Sequence, residues 1–231
     1  MEAVVLAGGF GTRLRNVVSD VPKVLAPVGD IPFLDIILMD LNRKGIRRVV
    51  LAVSYLKEQI IQHVETNDFG LKIDFSIEEE PLGTGGAIKQ ACSFCRSENI
   101  FVVNGDTFFD VNLPGMMKFS LSHKADITVA AKQMFNFNRY GTLVIDNDFI
   151  VDMKEKLPCS EGYINGGIYC LRRDFISSIP QERFSFERDI LEKSYANKNV
   201  CAFISEGYFI DIGVPEDYER AQLELVKICK T

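Results

Sequence analysis

Residues 3–14 read Ala-Val-Val-Leu-Ala-Gly-Gly-Phe-Gly-Thr-Arg-Leu, and Pro22-Lys23 follows a few residues later. The valine-rich run at 3–7 predicts a strand that is buried on both faces. The glycines after it let backbone amides approach an anion closely, because no Cβ stands in the way. Arg13 and Lys23 add mobile positive charge. The stretch therefore predicts a strand that leads into an anion-binding turn.

Two common nucleotide-binding motifs do not fit this turn. The dinucleotide fingerprint GxGxxG is absent, since Gly9-Phe10-Gly11 is followed by Thr12-Arg13-Leu14. No Gly-Lys-Ser/Thr of a P-loop occurs either. A nicotinamide-dependent dehydrogenase thus fits the strand and helix pattern but lacks its fingerprint. Taken alone, the glycines are also explained by a tight strand-to-helix turn.

The first half of the chain alternates strands and helices. Strands are predicted at residues 3–7, 48–53, 73–77 and 99–103, and helices at 32–44, 57–64 and 87–95. This order predicts an α/β fold with a doubly wound, mixed and mainly parallel sheet of the Rossmann-like kind. Ligands bind beyond the carboxyl ends of such strands. We therefore expect Gly8-Gly9, Glu80-Pro81 and Asp106 to meet in one crevice.

The second half predicts a small β-rich lobe within the same 231-residue domain. Strands are expected at 126–132, 142–145, 150–153, 163–171 and 200–204, and helices at 174–179, 187–196 and from Pro215 onward. Residues 184–187, Phe-Ser-Phe-Glu, are interpreted as helix entry and core rather than as a site. A division near residue 110 separates the two halves.

Composition narrows the class of protein. Acidic residues outnumber basic ones by 32 to 26, for a net charge of −6, and no long basic block occurs, which argues against a nucleic-acid partner. No apolar run approaches the roughly 20 residues of a membrane span, and the N-terminus has no basic leader. These features predict a soluble cytoplasmic protein without a membrane partner. Hydrophobic content of 47% permits a buried homodimer interface but does not locate one.

The cysteines predict no metal site. Cys92 and Cys95 form a CxxC, but no second pair follows at zinc-ribbon spacing, and the two histidines, His63 and His123, have no matching partners. Reduced thiols in and around the core are the favoured interpretation.

Five segments, in order along the chain, resemble the signatures of the sugar-1-phosphate nucleotidyltransferases, which have a GT-A-like fold. They are residues 6–14 with Pro22-Lys23, 80–87, 104–106, then Glu155-Lys156 with 165–167, and 211–218. Each has a plainer explanation alone: an Asx turn at Asp106, a helix-entry turn at Asp211, a solvated hairpin at Glu155-Lys156. Together these explanations leave unexplained why acids, cations and glycine turns all fall at predicted strand ends.

The resemblance implies a role for each matching residue. Arg13, Lys23 and Asp106 would be catalytic, and Asp106 and Asp211 would hold Mg²⁺, a hard cation that prefers oxygen ligands. Residues 1–110 would bind the nucleotide and 111–231 the sugar phosphate. The implied nucleotide contacts are Leu6, Ala7, Gly8, Gly9, Gly11, Thr12, Arg13, Lys23, Glu80, Pro81, Gly83, Thr84, Gly85, Asn104 and Gly105. The implied sugar-phosphate contacts are Tyr140, Gly141, Glu155, Lys156, Asn165 and Gly166.

Residues 11–23, 80–88 and 184–191 are most similar to the D-glycero-α-D-manno-heptose 1-phosphate guanylyltransferases. The resemblance implies GTP and a sugar 1-phosphate as substrates. Glu80, or its neighbour Glu79, would select guanine by accepting two hydrogen bonds from its N1–H and N2–H edge. The alternatives are another sugar 1-phosphate with GTP, UTP or dTTP, and a nucleotide-sugar sensor that has lost catalysis.

Overall fold

The computed structural model describes residues 1–9, 21–154, 157–194 and 199–229. The strands are β1 (Glu2–Leu6), β2 (Pro27–Val28), β3 (Ile31–Pro32), β4 (Arg48–Val53), β5 (Lys72–Ile77), β6 (Asn99–Asn104), β7 (Thr107–Phe109), β8 (Ile127–Phe137), β9 (Thr142–Asp146), β10 (Phe149–Lys154), β11 (Cys159–Arg172), β12 (Val200–Ser205) and β13 (Phe209–Asp211). The helices are α1 (Phe33–Arg43), α2 (Lys57–Glu65), α3 (Gly83–Cys92), α4 (Leu113–His123), α5 (Arg173–Ser177), α6 (Glu192–Ser194) and α7 (Pro215–Cys229). A 3₁₀ turn lies at Lys23–Leu25 and a π-helical turn at Phe186–Leu191.

One mixed sheet organises the fold. Within the described residues it has nine strands in the order β5-β4-β1-β6-β11-β8-β12-β10-β9. The strands from β5 to β6 are parallel, as predicted for the first half. In the second half β8 and β12 also pair in parallel, while β11, β10 and β9 run antiparallel to their neighbours. The predicted α/β class with a mixed sheet is confirmed, and parallel pairing dominates only its first half.

The sheet is covered on both faces, as a doubly wound fold requires. Alternate residues of β1 point to opposite sides: Ala3 and Val5 join a core with α1 and α7, while Val4 joins one with α3 and the π-helical turn. All three are fully buried. This explains why the strand reads as a continuous apolar run. In the described part of the chain, no helix is long and apolar enough to cross a membrane.

Several predicted boundaries were wrong. Helix α3 begins at Gly83, not at residue 87, because the glycine-rich turn is itself the first turn of the helix. Strands β8 and β11 are longer than predicted, at Ile127–Phe137 and Cys159–Arg172. The predicted helix at 187–196 is a π-helical turn and a short α-helix as far as the described residues extend, to 194.

The sequence analysis missed helix α4 and the short ribbon of β7 and β13. Helix α4 has a clear start signal, since the Asn112 side chain accepts a hydrogen bond from the Gly115 amide and Pro114 lies in the first turn. Strands β7 and β13 have three residues each and pair across about 100 residues of sequence, so no local pattern marks them. This ribbon matters because its ends carry Asp106 and Asp211.

Candidate active site

The carboxyl ends of β1 and β6 are joined by a close backbone contact. The Gly105 amide donates to the Leu6 carbonyl at 3.0 Å. A Cβ at position 105 would lie 2.3 Å from that carbonyl oxygen, so only glycine permits this approach. The contact brings Asp106, the next residue, to the end of β1. Gly9 and Asp106 line the same recess, so this part of the predicted convergence is observed, whereas Glu80 and Pro81 are not among the described residues that line it.

Lys23 forms an ion pair with Asp106. Its Nζ lies 2.6 Å from Asp106 Oδ2. Lys23 begins the 3₁₀ turn after Pro22, and its side chain is 12% exposed, against 40% for Asp106. The carboxylate thus faces solvent more than its partner does, and the lysine is held at the floor of the crevice.

Asp211 lies beside this ion pair. It is opposite Thr107 in the β7–β13 ribbon, and the Ile212 amide donates to the Asp106 carbonyl at 2.9 Å. Burial raises the pKa of the Asp211 carboxyl, the charge of Asp106 raises it further, and Lys23 lowers it. Two acids from distant parts of the sequence therefore interact electrostatically in one place. The Gly213 amide holds Asp211 Oδ1 at 2.6 Å.

The glycine-rich turn at 83–86 packs against the protein itself. The Gly85 amide donates to the Phe184 carbonyl at 3.0 Å, and the Phe184 amide donates to Leu82. A Cβ at Gly85 would lie 2.2 Å from the Phe184 ring, and one at Gly86 would lie 2.3 Å from the Glu182 carbonyl oxygen. These two glycines are needed to accommodate residues 182–184.

The three acids before this turn lie in different surroundings. Glu80 and Pro81 are exposed, and Glu79 is 3.4 Å from Lys57 Nζ. Glu78 instead accepts a hydrogen bond from the Leu82 amide at 3.1 Å and lies beside Gly8, and burial raises its pKa. The sequence interpretation considered Glu79 and Glu80 but missed Glu78. Glu78 directly follows β5 and lies next to the end of β1. Its position after a strand could have identified it from the sequence, because ligands bind beyond the carboxyl ends of such strands.

Two adjoining spaces open above Lys23 and the acids. The small recess has a volume of about 200 Å³ and the large cleft about 770 Å³. The small recess is lined by Leu6, Gly9, Lys23, Thr84, Gly105 and Asp106 among others. The large cleft is lined by Asp106, Tyr140, Gly141, Asn165, Glu187 and Asp211 among others. Asp106, Asn104 and Glu187 line both, so the two spaces meet at the acids.

The side chains expected on the sugar side are well anchored. Asn165 accepts from the Gly167 amide at 3.0 Å and donates to the Tyr169 hydroxyl at 2.9 Å. Burial, with the charge of Asp211, raises the pKa of Tyr140 to about 12.

Other residues expected on the sugar side have a different outcome. Gly166 is not among the described residues that line the cleft. It packs against the protein, and a Cβ there would lie 2.5 Å from the Phe109 ring. Gly11, Thr12, Arg13, Glu155 and Lys156 lie outside the described residues.

Three residues at this site were not singled out from the sequence. Arg139 lines the large cleft, contacts the Tyr140 hydroxyl at 3.2 Å and forms an ion pair with the buried Asp217 of α7. Glu187, interpreted as helix entry, lines both spaces. Arg139 immediately precedes the expected contact Tyr140, and Asp217 lies in the segment 211–218 that resembles the family. Their position next to expected site residues is the sequence feature that could have identified them.

Comparison with known proteins agrees with this architecture. The profile of the family described as nucleotidyl transferase matches residues 2–228. The D-glycero-α-D-manno-heptose 1-phosphate guanylyltransferase of Aneurinibacillus thermoaerophilus is 47% identical over 97% of this chain and 98% of its own length. The protein of the same name from Campylobacter jejuni is also 47% identical, over 94% and 97%.

Solved structures give the same result. HddC from Yersinia pseudotuberculosis superposes with a TM-score of 0.89 at 38% identity, over 97% of this chain and 99% of its own. A second structure of HddC is a complex with GMP-PN. The chain belongs to the nucleotidyl transferase family. Its close relatives are heptose 1-phosphate guanylyltransferases, so the predicted class of enzyme is confirmed.

Proposed function

We propose that this protein transfers GMP from GTP to D-glycero-α-D-manno-heptose 1-phosphate, giving GDP-heptose and pyrophosphate. The observation that carries the proposal is the group of Lys23, Asp106 and Asp211 where the two spaces meet. Residues of 1–110 line most of the small recess, and residues of 111–231 line most of the large cleft. This division supports binding of the nucleotide in the small recess and of the sugar phosphate in the large cleft.

The reaction needs positioning and charge neutralisation more than proton transfer. A phosphate oxygen of the sugar 1-phosphate forms a bond to the α-phosphorus of GTP, while the bond from that phosphorus to the β-phosphate oxygen breaks. The second pKa of a phosphate monoester is about 6, so the nucleophile is already largely ionised at neutral pH. The work left to the protein is to align two polyanions and reduce their repulsion.

Lys23 is suited to this task. It lines the small recess beside Asp106, and a lysine ammonium group binds phosphate as a point charge. Moving from Asp106 to the α-phosphate would let it neutralise charge that develops in the transition state. In our proposal Arg13, with the amides of Gly8, Gly9, Gly11 and Thr12, holds the β- and γ-phosphates, and Lys156 contacts the sugar phosphate.

The two acids fit a divalent cation. Magnesium sites in phosphoryl-transfer enzymes commonly use one or two carboxylates, with substrate phosphates and water completing the ligands. Asp106 and Asp211 supply two interacting carboxylates, and among the described residues no cluster of three or more potential ligands is present. We therefore assign Asp106 and Asp211 as Mg²⁺ ligands; when bound, the ion would polarise phosphate oxygens and screen their charge.

The test is incubation with GTP, Mg²⁺ and a set of sugar 1-phosphates that includes D-glycero-α-D-manno-heptose 1-phosphate. We expect GDP-heptose, identified by mass, and stoichiometric pyrophosphate. Product with mannose 1-phosphate but not with the heptose would contradict the assigned sugar. Binding of a nucleotide sugar with no turnover of any substrate would favour the catalytically silent sensor. A homodimer and a cytoplasmic location stay predictions.

Base choice is tested separately. We propose that the exposed Glu80 carboxylate accepts hydrogen bonds from guanine, with Pro81, Gly83, Thr84 and the backbone at Leu6-Ala7 completing the base site. Glu80→Gln should lower kcat/KM with GTP relative to UTP and dTTP. Glu79, the alternative selector, pairs with Lys57, and we expect Glu79→Gln to leave the base preference unchanged. An unchanged preference in Glu80→Gln would contradict the role.

A further inference from the structure

The segment 182–192, which follows α5, forms a wall shared by both spaces. The Ser185 side chain accepts a hydrogen bond from the Arg188 amide at 3.3 Å and so caps the π-helical turn Phe186–Leu191. Glu187, Leu191 and Glu192 from this segment line the large cleft, and Glu187 also lines the small recess. Wide π-helical turns often occur at functional sites.

The two carboxylate oxygens of Glu187 differ in their contacts. Oε2 accepts hydrogen bonds from the hydroxyls of Thr84, at 2.7 Å, and Ser185, at 3.2 Å. Thr84 Oγ1 in turn accepts from the Phe186 amide at 2.9 Å, which joins the two segments. Among the described residues, Oε1 of Glu187 takes no hydrogen bond. One oxygen therefore holds the 83–86 turn, and the other is available to a ligand.

We propose that Glu187 binds a hydroxyl of the sugar 1-phosphate, an inference that rests on the function proposed above. An ionised carboxylate only accepts hydrogen bonds, so it selects hydroxyl donors and repels phosphate. Glu187 lines the same two spaces as Asp106, where the phosphates would react, and its negative charge favours the sugar ring over a phosphate as its neighbour. Leu191, one turn further on, offers the apolar contact that the carbon face of a sugar needs. The ribose of GTP offers the same chemistry, and the experiment separates the two.

The variant Glu187→Gln is designed to split the two contacts. A glutamine keeps one oxygen to accept from Thr84, but it replaces the other with an NH₂ group that donates. We expect the KM for the sugar 1-phosphate to rise roughly tenfold, as for the loss of one hydrogen bond to a charged group. The KM for GTP and the thermal midpoint should stay close to those of the wild type.

Two further variants serve as controls. Glu182→Gln makes the same change on the same segment, at an exposed side chain that pairs with Lys89, and should leave both KM values unchanged. Thr84→Val removes the hydroxyl that binds Oε2 but leaves the carboxylate. If Thr84→Val and Glu187→Gln give the same kinetic profile, Glu187 only holds the turn and the proposal is wrong.

The remaining outcomes are equally distinct. A raised KM for GTP alone would assign Glu187 to the ribose and overturn the proposal, as would unchanged values for both substrates. The wild-type enzyme is first assayed on the set of sugar 1-phosphates, and the variant is then compared with whichever sugar is used. If none is turned over, the proposed function fails on its own. Calorimetric titration with heptose 1-phosphate then tests Glu187 directly, and equal affinity of both proteins would overturn the inference.

Discussion

The two glycine-rich turns of this protein look alike in sequence but differ in what surrounds them. At the end of β1, a Cβ on Gly9 would meet no atom of the described residues within 4 Å. In the turn that begins α3, a Cβ on Gly85 would lie 2.2 Å from the Phe184 ring, and one on Gly83 would lie 2.6 Å from the Phe184 carbonyl oxygen. Gly9 therefore borders open space in the small recess. Gly8 and the second turn are packed against the protein, and a Cβ on Gly8 would lie 3.0 Å from the Ser54 Cβ.

The difference teaches that a glycine motif has two physical explanations that sequence alone does not separate. Glycine keeps space free for a ligand at Gly9, and it makes room for the protein at Gly8 and in the second turn. The 83–86 turn presents Thr84 to the small recess, because Thr84 is exposed and lines that space. Its glycines, however, are explained by packing, and substitutions should reveal this.

The largest effect is expected for Gly85→Ala. Alanine normally favours a helix over glycine by about 1 kcal/mol. Here the added methyl group overlaps the Phe184 ring, and overpacking of this kind costs up to about 3 kcal/mol. We expect a net loss of about 2 kcal/mol in the free energy of unfolding, measured by urea denaturation. Wild-type stability in Gly85→Ala would mean that the two turns do not differ in packing.

A second prediction concerns the amino end of β1, on the side of the sheet away from the site. There β1 is connected to the residues that follow α3, and these two elements carry the two glycine-rich turns. Glu2 at the start of β1 accepts hydrogen bonds from the Arg96 and Ser97 amides after α3 and pairs with Arg48. Burial acts to raise the pKa of Glu2, but these hydrogen bonds lower it from 4.5 to about 2.

The sign of the pH effect follows. A lowered pKa in the folded state stabilises the protein above the unfolded value, and this stabilisation is lost as the pH falls from 4.5 towards 2. Glu2→Gln should therefore cost about 2 kcal/mol at pH 7 and progressively less at acid pH. Urea midpoints at pH 7, 4.5 and 3 test this, with the exposed Glu182→Gln as control. A cost that is independent of pH would contradict the assignment.

Gly9→Ala should have the opposite profile to Gly85→Ala. The added methyl group meets no atom in the part of the chain that the structure describes, so the free energy of unfolding should change by less than about 0.5 kcal/mol. In the proposed complex the same space lies against the triphosphate, and we expect GTP affinity to fall about tenfold, or 1.4 kcal/mol. Calorimetry measures the affinity. Unchanged affinity with unchanged stability would remove the first turn from the proposed binding site.

The smallest effect is expected for the stability of Asp211→Asn, measured without divalent ions in EDTA. Burial and the charge of Asp106 raise the pKa of Asp211, so ionising it weakens the fold as the pH rises through that pKa. Asparagine still accepts from the Gly213 amide. We expect the variant to match the wild type at acid pH and to exceed it by about 1 kcal/mol at pH 7. Lower stability at pH 7 would contradict the repulsion between the acids.

Much of the fold was predictable because its signals are local. The buried strands of the first half are continuous apolar runs, and the acidic residues and glycine turns of the site follow these strands in the sequence. Asp106 was found in this way, and Lys23 as a cation in the Pro22-Lys23 pair that follows the first glycine turn; the structure places the two side chains 2.6 Å apart. The family resemblance added Asp211, whose place in the site depends on the β7–β13 ribbon.

The parts that were missed depend on distant contacts. The β7–β13 ribbon joins residues about 100 positions apart, and Arg139 pairs with Asp217 on α7. Glu187 follows a short run of core residues, Phe184 and Phe186, so its segment reads as packing alone. Only the three-dimensional arrangement shows that this segment is also the wall of the cleft.

The central claim is that Asp106, with Lys23 and Asp211, supports GMP transfer where the two spaces meet. The most direct test is the rate of GDP-heptose formation by Asp106→Asn, with GTP, Mg²⁺ and heptose 1-phosphate, in protein whose thermal midpoint shows that it is folded. We predict a kcat at least about 1000-fold below that of the wild type, because a carboxylate that holds the metal contributes several kcal/mol to the transition state. A folded Asp106→Asn enzyme with a kcat within tenfold of the wild type would contradict the account.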